Sequence, residues 1–258
     1  MINYILAVVL GVIMGQVSAH LIHRLPEIIE DSDAYKKVFK TLKTGFKIDI
    51  KYSIISVILF SLIVYFVGSS YISYIYMVLV SMLIVTFVID FKMQLIPDTV
   101  QVIIFLLGII VTCVDYKMWL CHVIGMLTGL IIFLSIALFS KIVFRKEGMG
   151  MGDIKLMAGL GLIFGIDSMP NSFMSFLTSA ETILMITVLA FFMAAIVAVF
   201  LIVTKKTEKS LYMAFGPYIV IATILVILFG AKPFVDVYFN FCTQLADVFT
   251  LIILKLVN

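Results

Sequence analysis

Two aspartates stand where an otherwise apolar sequence turns polar. Asp90 closes the apolar run from Val78 to Ile89, and Asp153 directly follows a glycine-rich string. A carboxylate at the mouth of a membrane helix is costly unless it is solvated, paired or functional. Two carboxylates that lie together can share one proton and activate a water molecule. The pattern therefore predicts acid–base chemistry at Asp90 and Asp153.

The string before Asp153 is the most polar feature of its surroundings. Gly148, Gly150 and Gly152 alternate with methionines, and Ile154-Lys155 follows the aspartate. Glycine permits backbone conformations that are closed to other residues and lets another chain come close. The structural alternative is a solvated loop in which Asp153 caps the next helix. The string alone leaves both interpretations open.

Composition decides the class of protein that must position these aspartates. Of 258 residues, 64% are hydrophobic and 13% are charged, and the mean hydropathy is +1.24. No soluble class has this composition. We predict an all-α, polytopic membrane helix bundle that forms a single domain over residues 1–258. The first apolar run has no basic residues before it, as a signal peptide would, so we interpret it as a retained helix.

The apolar runs predict about eight transmembrane helices. They cover Ile2–Ile22, Ser53–Val67, Tyr71–Ile89, Val100–Val114, Met118–Phe144, Ile154–Ile166, Thr182–Thr204 and Met213–Phe229. The sixth run would be roughly 20 Å long as a helix, against a hydrocarbon core of about 30 Å. We expect it either to extend past Pro170 or to be tilted and partly irregular. The tail from Pro233 to Val257 carries a polar stripe, which favours a helix on the membrane surface over a ninth span.

Basic residues predict the orientation. The polar loop at residues 23–51 contains seven Lys or Arg and five Asp or Glu. Within it, basic and apolar residues repeat at helical spacing from Lys36 to Ile50, which is typical either of an amphipathic segment on anionic lipid or of a solvated loop. With an outside amino terminus, the inner loops hold fifteen Lys or Arg and the outer turns hold two. The positive-inside rule then puts Asp90 and Asp153 at the cytoplasmic face.

Four motifs, in order along the chain, resemble those of bacterial type IV prepilin peptidases, which are GxGD-type membrane aspartic peptidases. The string from Lys146 to Lys155 is similar to K-E-G-M-G-x-G-D-x-K, and Ile89 to Asp98 matches I-D-x-x-x-x-x-I/L-P-D. The stretch from Gly15 to Pro26 is similar to G-S-F-x-N-V-x-x-x-R-L-P, but the asparagine of the motif is replaced in this chain. Phe215-Gly216-Pro217-Tyr218 resembles F-G-P-F/Y, although taken alone it indicates a helix start or a kink.

The resemblance implies a membrane aspartic endopeptidase that removes the leader peptide of prepilins or pseudopilins in the bacterial cytoplasmic membrane. Asp90 and Asp153 match the catalytic pair. Asp98 matches the aspartate of I-P-D, for which we predict helix N-capping after Pro97. The other matched positions are expected to bind substrate or shape the loop: Gly148, Gly150, Gly152, Lys155, Phe215, Gly216 and Pro217.

The resemblance also bears on cofactors and partners. The peptidase reaction needs no cofactor or catalytic metal, and we expect membrane lipids and a pilin-like substrate as partners but no nucleic acid. Many family members methylate the new amino terminus with S-adenosylmethionine, which stays open here. Many carry paired C-x-x-C motifs, which hold zinc, in the first cytoplasmic loop. Residues 23–51 contain no cysteine, so we predict no zinc site there.

Two other functions are compatible with carboxylates near membrane helices. A presenilin-like intramembrane protease shares G-x-G-D, but it is expected to carry Pro-Ala-Leu where this chain has Phe-Gly-Pro. A proton-coupled transporter would place its carboxylates nearer the middle of the membrane. It would not require the G-x-G-D string.

Overall fold

The computed structural model describes residues 2–30, 49–145, 148–165, 173–204, 214–240, 243–244 and 246. Within these ranges the regular elements are all helical. A short 3-10 turn, Tyr116–Met118, joins the fourth helix to the fifth. The helices are α1 (Ile2–Glu30), α2 (Ile50–Phe66), α3 (Tyr71–Met93), α4 (Asp98–Val114), α5 (Trp119–Phe144), α6 (Met151–Ile163), α7 (Phe173–Val203), α8 (Gly216–Phe229) and α9 (Lys232–Asn240).

Four helical segments in the described ranges are long and apolar enough to cross a membrane. They are Ile2–Pro26, Tyr71–Met93, Tyr116–Val143 and Leu177–Val203. Helices α8 and α9 together pass the same test, but they are bent by 106°. Helices α2 and α4 are apolar and have 17 residues each. The structure thus confirms an all-helical membrane protein, whereas length and composition do not confirm eight spans.

Several helix boundaries differ from the predicted ones. Helix α1 does not end at Ile22 but continues to Glu30 with Pro26 inside it, so the predicted loop begins as helix. Leu25 is 5% exposed, which shows that packing on the core continues past the predicted end of the span. Helix α7 begins at Phe173, nine residues before its predicted start. The amphipathic stripe predicted around Lys36 to Lys47 and the tail beyond residue 246 lie outside the described residues.

Helix α6, the short sixth run, lies inside the bundle. Every residue from Asp153 to Ile163 except Lys155 is buried. The helix packs mainly against α5 and α4. A Cβ atom added at Gly125 or at Gly161 would run into the backbone of the other glycine, so only glycine allows α5 and α6 to approach this closely. The helix ends at Ile163 and does not extend unbroken past Pro170.

Helix α3 supplies the other central wall of the bundle and ends just beyond Asp90. Gln94 adopts the left-handed conformation (φ 54°, ψ 37°), and its N–H donates to the Asp90 carbonyl oxygen at 2.8 Å. This αL cap stops the helix and turns the chain. Pro97 then adopts an extended conformation (φ −63°, ψ 131°), from which α4 begins. The turn leaves Asp90 in the last part of α3, close to the start of α4.

Candidate active site

The two predicted aspartates meet in one cleft at the ends of α3 and α6. Asp90 is 4% exposed and Asp153 is 7% exposed. Both line a cleft of about 630 Å³. The rest of the lining comes from the end of α1, the α3–α4 turn and the start of α6: Leu25, Gln94, Leu95, Ile96, Pro97, Asp98, Thr99, Gly150, Met151, Gly152 and Lys155. The structure therefore brings together two residues that are 63 positions apart in the chain.

The start of α6 places Asp153 in the first helical turn. Gly150 is the N-cap in an extended conformation (φ −70°, ψ 143°), and its carbonyl oxygen accepts from the Asp153 N–H at 3.2 Å. Asp153 is therefore not the helix cap, and the structural alternative for this residue is wrong. A Cβ atom added at Gly150 would lie 3.5 Å from Asp153 Oδ2. The glycine keeps the backbone next to the carboxylate uncovered.

Asp90 is enclosed from behind by the start of α8. A Cβ atom added at Gly216 would lie 2.5 Å from Asp90 Oδ2 and 3.3 Å from Ile96 Cδ1, so any larger residue would displace the carboxylate. Asp90 Oδ2 is buried and has no hydrogen-bond partner among the described residues. A buried carboxylate oxygen without a partner requires an explanation. A proton on this carboxyl group would remove the cost of leaving a charged oxygen buried there.

The Phe-Gly-Pro sequence supports Asp90 and does not line the cleft. Helix α8 begins at Gly216 with Pro217 in its first turn, where proline costs no helical hydrogen bond. Phe215 packs against a cluster of aromatic rings, with its centroid 4.7 Å from Phe191 and 6.0 Å from Phe133. The interpretation as a helix start is confirmed. The positions predicted to touch substrate here lie behind the carboxylate.

Burial and the neighbouring carboxylate favour a proton on the pair. Asp153 lies outside the four candidate spans, at the polar end of α6. Burial, and then the charge of Asp90, raise the pKa of Asp153 well above its ordinary value of 3.8. Two buried carboxylates that influence each other resist double ionisation. The pair thus holds a proton at a pH where an exposed aspartate would be ionised.

Asp98 does not play the role predicted for it. Pro97 occupies the N-cap position because its backbone is already extended, and Asp98 is the first residue of α4. The Asp98 side chain instead pairs with Lys155, with Oδ1 2.6 Å from Nζ. The pair is exposed, with 52% of the Lys155 side chain and 75% of the Asp98 side chain accessible. It joins the start of α4 to the start of α6 along the rim of the cleft.

The remaining predicted glycines have separate surroundings. Gly148 lies away from the cleft lining, and its N–H donates to Ser140 Oγ at 3.1 Å. Gly152 lies against the α3–α4 turn, where an added Cβ atom would be 3.1 Å from Ile96 Cβ and 3.2 Å from Gln101 Nε2. Glycine at position 152 therefore lets the two loops that carry the aspartates touch.

Gln101, which the sequence motifs did not identify, lies between these loops. Its Nε2 donates to the carbonyl oxygen of Ile96 and to that of Gly152, both at 3.3 Å. A signal was present, because a lone amide in the first turn of an apolar helix is costly unless it is bonded. No motif marked it.

A metal site is not formed by the part of the chain that the structure describes. No group of three or more His, Cys, Asp or Glu side chains among those residues is placed to hold a metal ion. Residues 31–48 of the first polar loop lie outside that part. The prediction that this loop binds no zinc therefore stays a prediction.

Residues 77–203, which include both aspartates, match the type IV leader peptidase family. This segment belongs to that family. The chain is 32% identical over 145 residues to a prepilin leader peptidase/N-methyltransferase of Pseudomonas putida, covering 55% of this chain and 45% of the relative. It is 37% identical over 97 residues to a type 4 prepilin-like proteins leader peptide-processing enzyme of Escherichia coli O78:H11, covering 37% of this chain and 36% of the relative.

A longer but weaker similarity extends to a prepilin leader peptidase/N-methyltransferase of Neisseria gonorrhoeae. That relative is 26% identical over 180 residues, which is 68% of this chain and 57% of the relative. The aligned part of this chain thus spans about half or less of the P. putida and E. coli relatives, and somewhat more of the N. gonorrhoeae protein. No solved structure matches the chain.

Proposed function

We propose that this chain is a membrane aspartic endopeptidase that cleaves the leader peptide of type IV prepilins or pseudopilins. The observation that carries the proposal is the cleft shared by buried Asp90 and Asp153, inside the segment that matches the leader peptidase family. The names of the relatives supply the class of substrate.

The proposed mechanism uses the proton that the pair retains. One carboxylate is ionised and takes a proton from a water molecule as that water attacks the scissile carbonyl carbon. The other carboxyl group donates its proton to the carbonyl oxygen, giving a neutral tetrahedral diol. The first carboxyl group then protonates the leaving nitrogen as the C–N bond breaks, and the second recovers its proton from the diol. Either aspartate can start in either role.

The cleft suits an extended peptide. Its walls are the α3–α4 turn on one side and the start of α6 on the other. Gly150 leaves the α6 wall without a side chain next to Asp153, which lets a substrate backbone approach the carboxylate. Lys155, on the rim and paired with Asp98, is the position that we expect to meet polar groups of the substrate.

The position of the aspartates favours a peptidase over a proton-coupled transporter. Asp90 lies three residues before the end of α3, and Asp153 lies in the first turn of α6. Both carboxylates are therefore at helix ends, where a soluble leader peptide can reach them. A transporter would be expected to hold them nearer the middle of its spans.

We further propose eight spans, with the cleft at the cytoplasmic face of the bacterial cytoplasmic membrane. The support is the excess of fifteen Lys or Arg in the inner loops over two in the outer turns. Single cysteines in a background without the three native cysteines test it. Lys92→Cys and Lys206→Cys should resist an impermeant thiol reagent in intact cells, and Lys117→Cys should react. The reverse pattern would overturn the orientation.

N-methylation is a separate part of the proposal. It rests on the names of relatives that combine peptidase and N-methyltransferase, and it would use S-adenosylmethionine as the methyl donor. The described residues assign no site to that molecule, and the peptidase steps do not involve it. Mass spectrometry of the mature pilin decides it, because one methyl group shifts the amino-terminal peptide by a fixed mass.

The decisive experiment is cleavage of a defined substrate. The purified full chain, in lipid, is incubated with a prepilin or pseudopilin from the same organism, and the products are identified by mass spectrometry. We expect two products from a single cut at the end of the leader peptide. Intact substrate after incubation with folded protein would contradict the proposed function.

A further inference from the structure

We infer that Gln101 is a positioning residue that ties the two aspartate-bearing loops together through its side-chain amide. The inference deepens the proposed peptidase function and rests on it. Gln101 lies in the first turn of α4 and is 6% exposed. It lies behind the cleft and is not part of its lining.

The bonds made by Gln101 run to both loops. Its Nε2 donates at 3.3 Å to the carbonyl oxygen of Ile96, in the turn that follows Asp90 and α3. The same nitrogen donates at 3.3 Å to the carbonyl oxygen of Gly152, the residue directly before Asp153. An amide nitrogen carries two hydrogens, so each carbonyl oxygen receives one. Both donor positions of the side chain are thereby used.

The surroundings fix which way the amide group points. A flipped amide would put Oε1 against two carbonyl oxygens, which also can only accept hydrogen bonds. In the observed orientation Oε1 is buried and has no partner among the described residues. A buried acceptor without a partner destabilises the fold. The two hydrogen bonds that Nε2 donates to the loops offset that cost. A buried acceptor left without a partner is more typical of a functional constraint than of simple packing.

The tie acts at the place where the two loops touch. Gly152 lies so close to Ile96 that an added Cβ atom would be 3.1 Å from Ile96 Cβ. The Gly152 carbonyl oxygen is part of the peptide bond that joins this residue to Asp153. Holding this oxygen relative to the α3–α4 turn therefore holds the Asp153 backbone relative to the loop after Asp90. A misplacement of about 1 Å in such a pair lowers the rate by up to about 100-fold.

Three variants test the inference in the purified full chain. Gln101→Met removes both donors and keeps the length of the side chain. Gln101→Asn shortens the side chain by one methylene, so that it reaches at most one carbonyl oxygen. Gln16→Met is the matched control, because Gln16 also ties two segments with its amide, bonding Ser53 Oγ at 2.6 Å and the Asp49 carbonyl oxygen at 3.3 Å, away from the aspartates.

The measurements are kcat and KM for prepilin cleavage, together with amide hydrogen exchange. We expect Gln101→Met to lower kcat by about 10- to 100-fold with KM changed less than about twofold, because substrate contacts stay in place. Gln101→Asn should lie between this variant and the wild type. Gln16→Met should keep kcat within about twofold of the wild type, even if it lowers the unfolding temperature as much as Gln101→Met does.

Hydrogen exchange separates this inference from the proposed function. Gln101→Met should speed exchange at the start of α6, residues 151–153, more than in the rest of the helix, whether or not any prepilin is cleaved. If the wild type cleaves no prepilin and this exchange effect still appears, the proposed function fails. The link that Gln101 forms between the two loops is then still supported. An unchanged kcat in Gln101→Met, or an equal loss of kcat in Gln16→Met, would overturn the inference. Should Gln101→Met not fold, the kcat of Gln101→Asn decides on the same terms.

Discussion

Helices α1 and α2 pack together as a pair, and helices α4, α5 and α6 pack together as a group, the α4–α6 group. Both regions are held together in the same two ways. In each, a glycine brings two backbones into contact: Gly15 against Ser53 in the pair, and Gly161 against Gly125 in the group. In each, the amide of a glutamine links two segments, Gln16 in the first and Gln101 in the second. Only the α4–α6 group includes one of the two buried aspartates, Asp153, which lies next to Asp90 at the end of α3.

The difference lies in what surrounds the acidic residue of each region. Asp49 in the α1–α2 pair caps α2 by accepting from the Lys51 N–H at 3.3 Å, and its Oδ2 lies 3.7 Å from His23 Nε2. Asp153 is not the N-cap residue of α6, and it is buried next to a second carboxylate. The same packing devices therefore support a stabilising aspartate in one region and a destabilising one in the other. A buried carboxylate that does not stabilise the fold is typical of a site that does chemistry.

The largest expected contrast comes from removing a carboxylate in each region. Asp90→Asn and Asp153→Asn should each lower kcat for prepilin cleavage by about 100- to 10,000-fold or more, because each aspartate supplies half of the acid–base pair. Asp49→Asn should leave kcat unchanged, since asparagine caps helices as well as aspartate does. Cleavage assays on folded, membrane-inserted variants measure this. Near wild-type cleavage by either Asp90→Asn or Asp153→Asn would end the assignment.

Glycine substitutions test the close helix packing in the two regions. Gly161→Ala and Gly15→Ala each place a methyl group against a backbone that has no space for it, which costs about 1–3 kcal/mol of unfolding free energy. We expect Gly161→Ala also to reduce kcat strongly, because α6 carries Asp153. Gly15→Ala should keep the kcat of the folded fraction. Equal kcat values for the two variants would show that α6 has no special role.

Asp153→Asn should lower activity but raise stability at neutral and higher pH. The pKa of Asp153 is raised in the folded state, so the protonated carboxyl group favours folding below the ordinary value of 3.8, and this contribution is lost as the pH rises towards neutrality. Asparagine never ionises, so Asp153→Asn should be more stable than the wild type at pH 8 by about 1 kcal/mol or more. The gain should shrink towards pH 4. Unfolding temperatures measured across this range, with Asp49→Asn alongside, test the sign.

The smallest expected effect lies on the rim of the cleft. Asp98→Asn breaks the ion pair with Lys155, which is exposed and therefore contributes less than about 1 kcal/mol. We expect kcat within about threefold of the wild type and an unfolding temperature that changes little. Complete loss of cleavage would mean that Asp98 is a member of the catalytic pair.

The aspartates could be predicted because charge is rare in this sequence. Asp90 and Asp153 interrupt apolar runs and border loops, so both their solvation cost and their grouping at one face follow from the residues alone. The role of Asp98 could not be predicted in the same way. Capping depends on whether Pro97 or Asp98 takes the extended conformation, and on Lys155 lying 2.6 Å away, which only the packing of α6 against α4 decides.

Long-range packing also explains the other differences. The continuation of α1 to Glu30 depends on Leu25 finding a buried place in the core. The bonds of Gln101 depend on a carbonyl oxygen at Gly152, 51 positions away. Local periodicity predicts that an apolar segment is a helix. It does not identify the distant residues that bury one of its side chains or form a hydrogen bond with another.

The burial of α6 has a consequence for how the protein is made. A helix of 13 residues with glycines at positions 159 and 161 is too short and too weak a helix former to be inserted into a bilayer as an independent unit. Its place is created by α4 and α5, which precede it in the chain and pack on it most closely. Asp153 therefore joins Asp90 only after these helices are in the membrane. Insertion assays on chains that end after α6, with and without α5, should show α6 protected from protease only when α5 is present.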